Sequence, residues 1–386
     1  MDRRSFVKLA ASAPLALAAG PAISMAGASG GRRLVIVELV GGNDGLGMVP
    51  PVEAGAHAAL AAMRPTLGLA SGAALKLDEQ VGFNPALATL MYAWDGGELA
   101  VVQGVGDTAA PQDHLRAAAF WDEGGVGGGA GQGWLARLLA GSPPAGALAQ
   151  AAILGMGAAG PMEGAGDQAA RLMPHALLVQ EAQESDRLRS RSGTSAPLKH
   201  LIGLRDERQA RANRVQEAVA RSAEVKTRFP QTSVGQQLGL VARAIVAQVQ
   251  VPVYKVVHRG FDTHAGQRGV HDRLLVELAE GLAALRSELL RADLWGQVMV
   301  MTISEFGRRP RENKAGGTDH GTSAPHLVLG GAIKGGLHGK QPGLDDLLGE
   351  DLRHGVELGA YLGSAASWLG LDPAVIWPRQ RPLALF

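Results

Sequence analysis

Residues 34–45, LVIVELVGGNDG, run an almost unbroken apolar stretch into a glycine-bounded Asn43-Asp44 pair. A strand so apolar is buried on both faces, as in a parallel sheet covered by helices. The same pattern recurs at Leu99–Val105, Val253–His258, Val298–Ile303 and, more briefly, His326–Gly331. Helical patterns fall between these strands. Asn84-Pro85 caps one that closes at Gly96-Gly97, and others cover Asp113–Glu123, His271–Ala292 and Val356–Leu369. This alternation predicts an α/β chain with a mostly parallel sheet and helices on both faces.

The middle of the chain, about 160 to 250, breaks the alternation. His175–Gln180, HALLVQ, reads as a candidate strand. Leu198–Arg228 mixes charges with apolar residues at helical spacing, and Val234–Val249 reads as a second helix packed on it. The expectation is a helical insertion or lid on a single domain covering 29–386. The glycine-rich run Gly124–Gly133 marks a loop or insertion.

The 386-residue chain is long enough to bury a large core, and 46% hydrophobic against 19% charged residues is a globular balance. A formal net charge of +1 gives no basic footprint for nucleic acid. With no cysteine, thiolate metal sites and cysteine nucleophiles are excluded. Residues 1–28 place Arg3-Arg4, Phe6 and Lys8 before a weakly apolar stretch ending in Ala26-Gly27-Ala28. This order reads as a secretory signal of the twin-arginine type. Prolines at 14 and 21 break Leu9–Ala28 too often for a membrane span, so the mature chain is expected to have none. The implied partner is the twin-arginine translocase and the implied location is the periplasm or exterior. Export in a folded state favours a metal loaded beforehand.

Each main strand runs toward chemistry. Asn43 and Asp44 follow the first, and Asp113 and His114 lie beyond the second. Asp262 and His264 follow the third; Glu305, then Asp319 and His320, follow the fourth. In open parallel sheets the ligand crevice lies at the carboxyl ends of the strands, so these loops are expected to converge. Mixed carboxylate and imidazole groups suit zinc, manganese or a similar divalent ion, and there are enough for one or two. Arg308, Arg309 and Arg311 either contact an anionic substrate or form a solvated face. Asp44 also reads as a turn residue, and Asp113 as a helix cap.

FDTHAGQ, SEFGRRPREN, GGTDHG and GGLHGKQPGL, with the leader, GGNDG and DHLRAAAFWDEG, occur in the order of an exported bacterial family named domain of unknown function 1501. The chain resembles that family, which itself looks like a distant branch of the alkaline phosphatase and sulfatase superfamily. The resemblance implies an alkaline phosphatase-like fold and Asp44, Asp262, His264, Glu305, Asp319 and His320 as ligands of one or two ions of Zn, Mn, Ca or Mg. It also implies a periplasmic hydrolase of phosphate or sulfate esters. His114 or Asp113 would handle a proton, and Asn43 and Arg308 would contact an anionic small molecule or envelope polymer. One position departs from the family pattern: Asp113 stands where a serine is common, so no hydroxyl nucleophile is present there, and Thr108 is the nearest substitute upstream. The rival expectation is a non-catalytic, metal-containing binding or assembly protein. A third keeps the metal in a transferase or lyase.

Overall fold

The computed structural model describes residues 31–126, 131–141, 146–155, 157–172, 196–221 and 225–386. The expected leader and the HALLVQ strand lie outside the described residues. β1 (Arg33–Val40) sits at the centre of a nine-stranded sheet. The other strands are β2 (Leu99–Gly106), β3 (Ala151–Leu154), β4 (Ala169–Leu172), β5 (Val253–Arg259), β6 (Val298–Ile303), β9 (Ser323–Leu329), β10 (Gly336–His338) and β11 (Val356–Glu357). Their order is β10-β2-β9-β6-β1-β5-β3-β4, with β11 added beside β2. β9 runs antiparallel to both neighbours, and every other pairing in the sheet is parallel.

The central register explains why β1 is apolar throughout. Val37 lies between Val256 of β5 and Thr302 of β6, so each face of β1 is covered by neighbours and by a helical layer. Val35, Val37 and Leu39 enter the core shared with α5 (Ser233–Val246) and α6 (Gln267–Arg291). Leu34 and Ile36 enter the opposite core, with α3 (Trp134–Gly141) and α7 (Leu358–Trp368). Strand alternation thus feeds two cores, and the sheet ends are left to carry polar groups.

Two expectations are corrected. The stretch after β6, read as a loop, forms a two-stranded antiparallel ribbon, β7 (Gly307–Glu312) with β8 (Thr318–Gly321). Its polar sequence hides the pairing, because the ribbon is held by backbone bonds and by the buried Arg308 rather than by an apolar face. The 160–250 region is not helical alone. It supplies β4 as a strand of the main sheet, and its helices are α4 (Ala196–Ala220) and α5, the latter built into the core through Val234, Leu238, Val241 and Ile245. The remaining helices named below are α1 (Ala54–Met63) and α2 (His114–Asp122).

Candidate metal centre

Four segments converge at the carboxyl ends of β1, β5 and β6. Gly41 leaves β1 with φ +117°, and a Cβ there would lie 2.3 Å from the Asp262 nitrogen, so only glycine admits so close an approach of the β5 exit. Its N–H donates to Glu305 Oε1 at 2.9 Å, which ties the β1 exit to that of β6. Gly317 does the same for the ribbon: a Cβ would meet the His264 carbonyl carbon at 2.2 Å. From the other side α2 enters with Asp113 at its N-cap, and its first residue is His114.

Asp262 is the hub. His114 Nε2 lies 3.4 Å from Asp262 Oδ2, while His320 Nε2 and His264 Nε2 lie 3.4 and 3.1 Å from Oδ1. His264 and His320 face each other through their Nε2 atoms at 2.9 Å. One ligating atom from each of His114, Asp262 and His320 falls within 4.8 Å of the other two.

The outer nitrogens decide what the inner ones offer. His320 Nδ1 is 2.7 Å from the Gln112 carbonyl, which only accepts, so the proton sits on Nδ1 and Nε2 presents a lone pair. His114 Nδ1 is 3.0 Å from Glu305 Oε1, and a carboxylate imposes the same tautomer. Two imidazole lone pairs therefore face an anionic carboxylate. Electron-rich groups held together in this way suit a cation between them, and ligand histidines backed by a carboxylate or carbonyl are the usual arrangement of metal centres. Burial pushes the His320 imidazole pKa down, helped by Arg308 and His114 although the Gln112 carbonyl opposes it, which keeps that lone pair available. Phe306 stacks on the His320 ring at 4.1 Å and fixes its plane.

Asp262 remains ionised. Burial raises its carboxyl, but Arg308 donates Nη2 to Oδ1 at 2.8 Å and the net effect is downward. Arg308 is itself buried and committed to the frame. It donates to the carbonyls of Gly42 at 2.8 Å, Thr318 at 2.6 Å and Phe261 at 3.1 Å, and also to that of Gly41. It is a clamp on three segments, so its guanidinium is not presented to an incoming anion as the sequence reading expected. Asn43 is equally enclosed: its N–H bonds Ser304 Oγ, Nδ2 reaches Met48 Sδ, and Oδ1 faces His271 Nε2 at 2.9 Å.

Asp44, expected as a ligand, lies fully buried in a separate network. Arg64 pairs with both of its oxygens, at 2.7 and 3.0 Å, and Gln267 Nε2 donates to Oδ2 at 2.5 Å. Burial raises this carboxyl, and Arg64 more than offsets it, holding it below the usual carboxylate range. Asp113 donates no ligand atom to the cluster; its Oδ1 accepts from Arg116 N at 3.1 Å as a helix cap. Asp319 sits on the outer side, 53% exposed, 3.5 Å from His264 Nδ1 and bonded by Asn313 Nδ2. The Asn313 bond lowers its carboxyl, with the adjacent imidazole contributing.

The structure thus gathers Asp262, His264, His320, His114 and Glu305, leaves Asp319 at the rim, and places Asp44 and Asn43 elsewhere. Arg64, Gln112 and Phe306 were missed by sequence reading. Gln112 acts through its carbonyl, which carries no side-chain signal, and Arg64 lies in an ordinary helix end. Phe306 was visible within SEFG. Among the described residues, no serine or threonine hydroxyl bonds a side chain of the cluster. Thr318 donates to Gln267, Ser304 to the Leu39 carbonyl and Thr263 to that of Phe261.

The profile described as "Protein of unknown function (DUF1501)" matches residues 101–374, well over half of the sequence, and the chain belongs to that family. No curated protein matches the sequence. Among solved structures, Ps i-CgsB in complex with k-i-k-neocarrahexaose is similar at 10% identity and TM-score 0.43, covering 90% of this chain and 77% of that one. A protein in the alkaline phosphatase superfamily from Vibrio parahaemolyticus is similar at 10% identity and TM-score 0.41, with 92% and 70% covered. The phosphonate monoester hydrolase SpPMH from Silicibacter pomeroyi is similar at 10% identity and TM-score 0.41, with 91% and 76% covered.

Proposed function

We propose that this family member is a periplasmic, metal-dependent hydrolase of phosphate or sulfate esters, acting on an envelope glycan or other anionic polymer and exported through the twin-arginine translocase. The observation that carries the reading is the pair of imidazole lone pairs turned on one ionised carboxylate. Asp262, His114 and His320 would hold one divalent ion, Zn or Mn by their donor chemistry, with Ca or Mg less suited to imidazole. Such an ion would supply an acidified water and neutralise charge developing on the ester. Asp44 does not fit a second ion, because both of its oxygens are already saturated by Arg64 and Gln267.

The chain's own groups take the remaining tasks. Glu305 fixes the tautomer of His114, and the Gln112 carbonyl fixes that of His320. His264 is half exposed beside the cluster with Asp319 behind its Nδ1, a placement suited to moving a proton at Nε2. Among the described residues the hydroxyls nearest the cluster, those of Thr263, Ser304 and Thr318, are bonded to the frame, so the reading assigns the attack to water. The second reading is a non-catalytic metal-containing binding or assembly protein that uses the same cluster.

The two readings separate in one experiment. Purified protein is analysed for bound metal and assayed on aryl phosphate and aryl sulfate panels, beside Asp262→Asn and His320→Ala. The hydrolase reading expects one equivalent of metal and activity, both lost in the variants. Metal-free protein with full activity refutes it, and bound metal with silence on both panels selects the binding protein. No helix among the described residues is long and apolar enough to cross a membrane.

A further inference from the structure

The ester-bearing end of a substrate accounts for the metal centre alone, yet the same edge of the sheet carries a second recess of about 630 Å³. It lies between β4, the 158–166 segment leaving the carboxyl end of β3, and one face of α4. Its lining holds Arg171 from β4 and Arg205, Arg208 and Gln209 from α4, against a single acidic side chain, Glu163. Arg205, Arg208 and Gln209 fall at helical spacing, so one face of α4 points this stripe into the recess. Among the described residues Arg208 is exposed and forms no ion pair, and Arg171 donates to the Gly155 carbonyl at 3.3 Å. A near-neutral chain that concentrates guanidinium forks in one recess has built an anion-binding surface there.

Position relates this recess to the cluster. β3 neighbours β5 in parallel, so the segment leaving β3 lies on the same sheet edge as the Asp262 loop. The segment passes beside the end of β5: a Cβ added at Gly157 would lie 3.4 Å from the guanidinium of Arg259, the last residue of β5 and three before Asp262. Lys255 of β5 donates to the Ala158 carbonyl at 3.1 Å and pairs with Glu38 of β1 at 2.8 Å, which ties this segment to the two strands whose exits carry Asn43 and Asp262.

We propose that this recess is a subsite for the sulfate or phosphate groups of a polyanionic glycan, holding the chain while a neighbouring ester lies at the metal cluster. The proposal rests on the ester-hydrolase reading for its second half only. A small aryl ester fills the cluster without reaching α4, whereas a polymer engages both. The groove therefore contributes to polymer affinity and not to turnover of small esters.

The test measures binding of dextran sulfate, inorganic polyphosphate, unsubstituted dextran and a single-stranded DNA oligonucleotide to the full-length protein. Wild type is compared with Arg171→Gln/Arg208→Gln and with Arg208→Glu, a surface change that leaves packing intact. Expected is binding of dextran sulfate or polyphosphate, weakened at least tenfold in both variants with a shallower salt dependence, no binding of dextran, and unchanged kcat/KM on aryl esters. Which polyanion binds tighter separates sulfate from phosphate as the recognised group. Variants that bind like wild type, wild type that binds neither polyanion, or a preference for DNA over both would overturn the proposal. Polymer binding without aryl-ester turnover would sink the hydrolase reading and leave the subsite standing.

Discussion

Replacing Arg64 by methionine tests whether Asp44 belongs to the frame or to the metal. Met keeps the volume of the stem but removes a guanidinium that meets both Asp44 oxygens at 2.7 and 3.0 Å, with side chains 2% and 1% exposed. Breaking a buried pair on one side leaves the other charge uncompensated, at a cost of about 3–5 kcal/mol. The same guanidinium also satisfies the Pro310 and Arg309 carbonyls at 2.6 and 2.9 Å, so the upper end of that range applies. At roughly 2–4 °C per kcal/mol for a large domain, thermal unfolding should fall by about 10–20 °C. Adding Asp44→Asn to Arg64→Met should recover more than half of the loss, because the amide no longer carries a charge to compensate. The sign of the pH dependence follows from a depressed native carboxyl: the pair's contribution is complete above the unfolded pKa and disappears as pH falls through the native one. The gap between wild type and Arg64→Met should accordingly narrow on acidification. Metal content should match that of wild type in every one of these variants. A melting change of under two degrees, or loss of metal in Asp44→Asn alone, would refute the assignment of Asp44 to the frame.

The remaining expectations concern the other carboxylates. Glu305→Gln keeps an acceptor oxygen behind His114 Nδ1 but removes the negative charge that makes the imidazole a stronger ligand, and metal affinity should drop about 10- to 100-fold, read by calorimetric titration. Asp113→Ala removes the cap on Arg116 N and should cost about 1 kcal/mol in denaturant unfolding while leaving metal content untouched; a metal-free variant would make Asp113 a ligand. Burial pushes the Asp122 carboxyl up to about 7, with Glu38, Glu163 and Glu305 adding to the effect and Lys255 opposing it. A raised carboxyl destabilises progressively as pH climbs from the unfolded value toward the native one. Asp122→Asn should therefore raise the melting temperature at pH 8 and change it little near pH 4, and an equal gain at both would contradict the burial of that charge.

Local sequence revealed what local chemistry determines. β1, β5 and β6 were legible because a strand between two covered neighbours has no polar side, and FDTH and TDHG were legible because they follow such strands. The β7–β8 ribbon was not, since its residues alternate for neither a helix nor a half-buried strand. Arg308 in particular reads as a solvent-facing charge until four backbone carbonyls and Asp262 are brought around it. The same limit separated Asp44 from Asp262. Both follow an apolar strand and a glycine or aromatic turn, and nothing within ten residues of either says which will meet a cation. The difference lies in the remaining partners: Arg64 and Gln267 take both oxygens of Asp44 inside the core, whereas Arg308 takes only Oδ1 of Asp262, which also meets the half-buried His114 and His320. A carboxylate saturated by a guanidinium is neutralised in place and becomes structure. Asp262 spends one oxygen on Arg308 and turns the other toward His114, so unlike Asp44 it keeps an oxygen facing an imidazole lone pair, which is what the proposed metal site rests on.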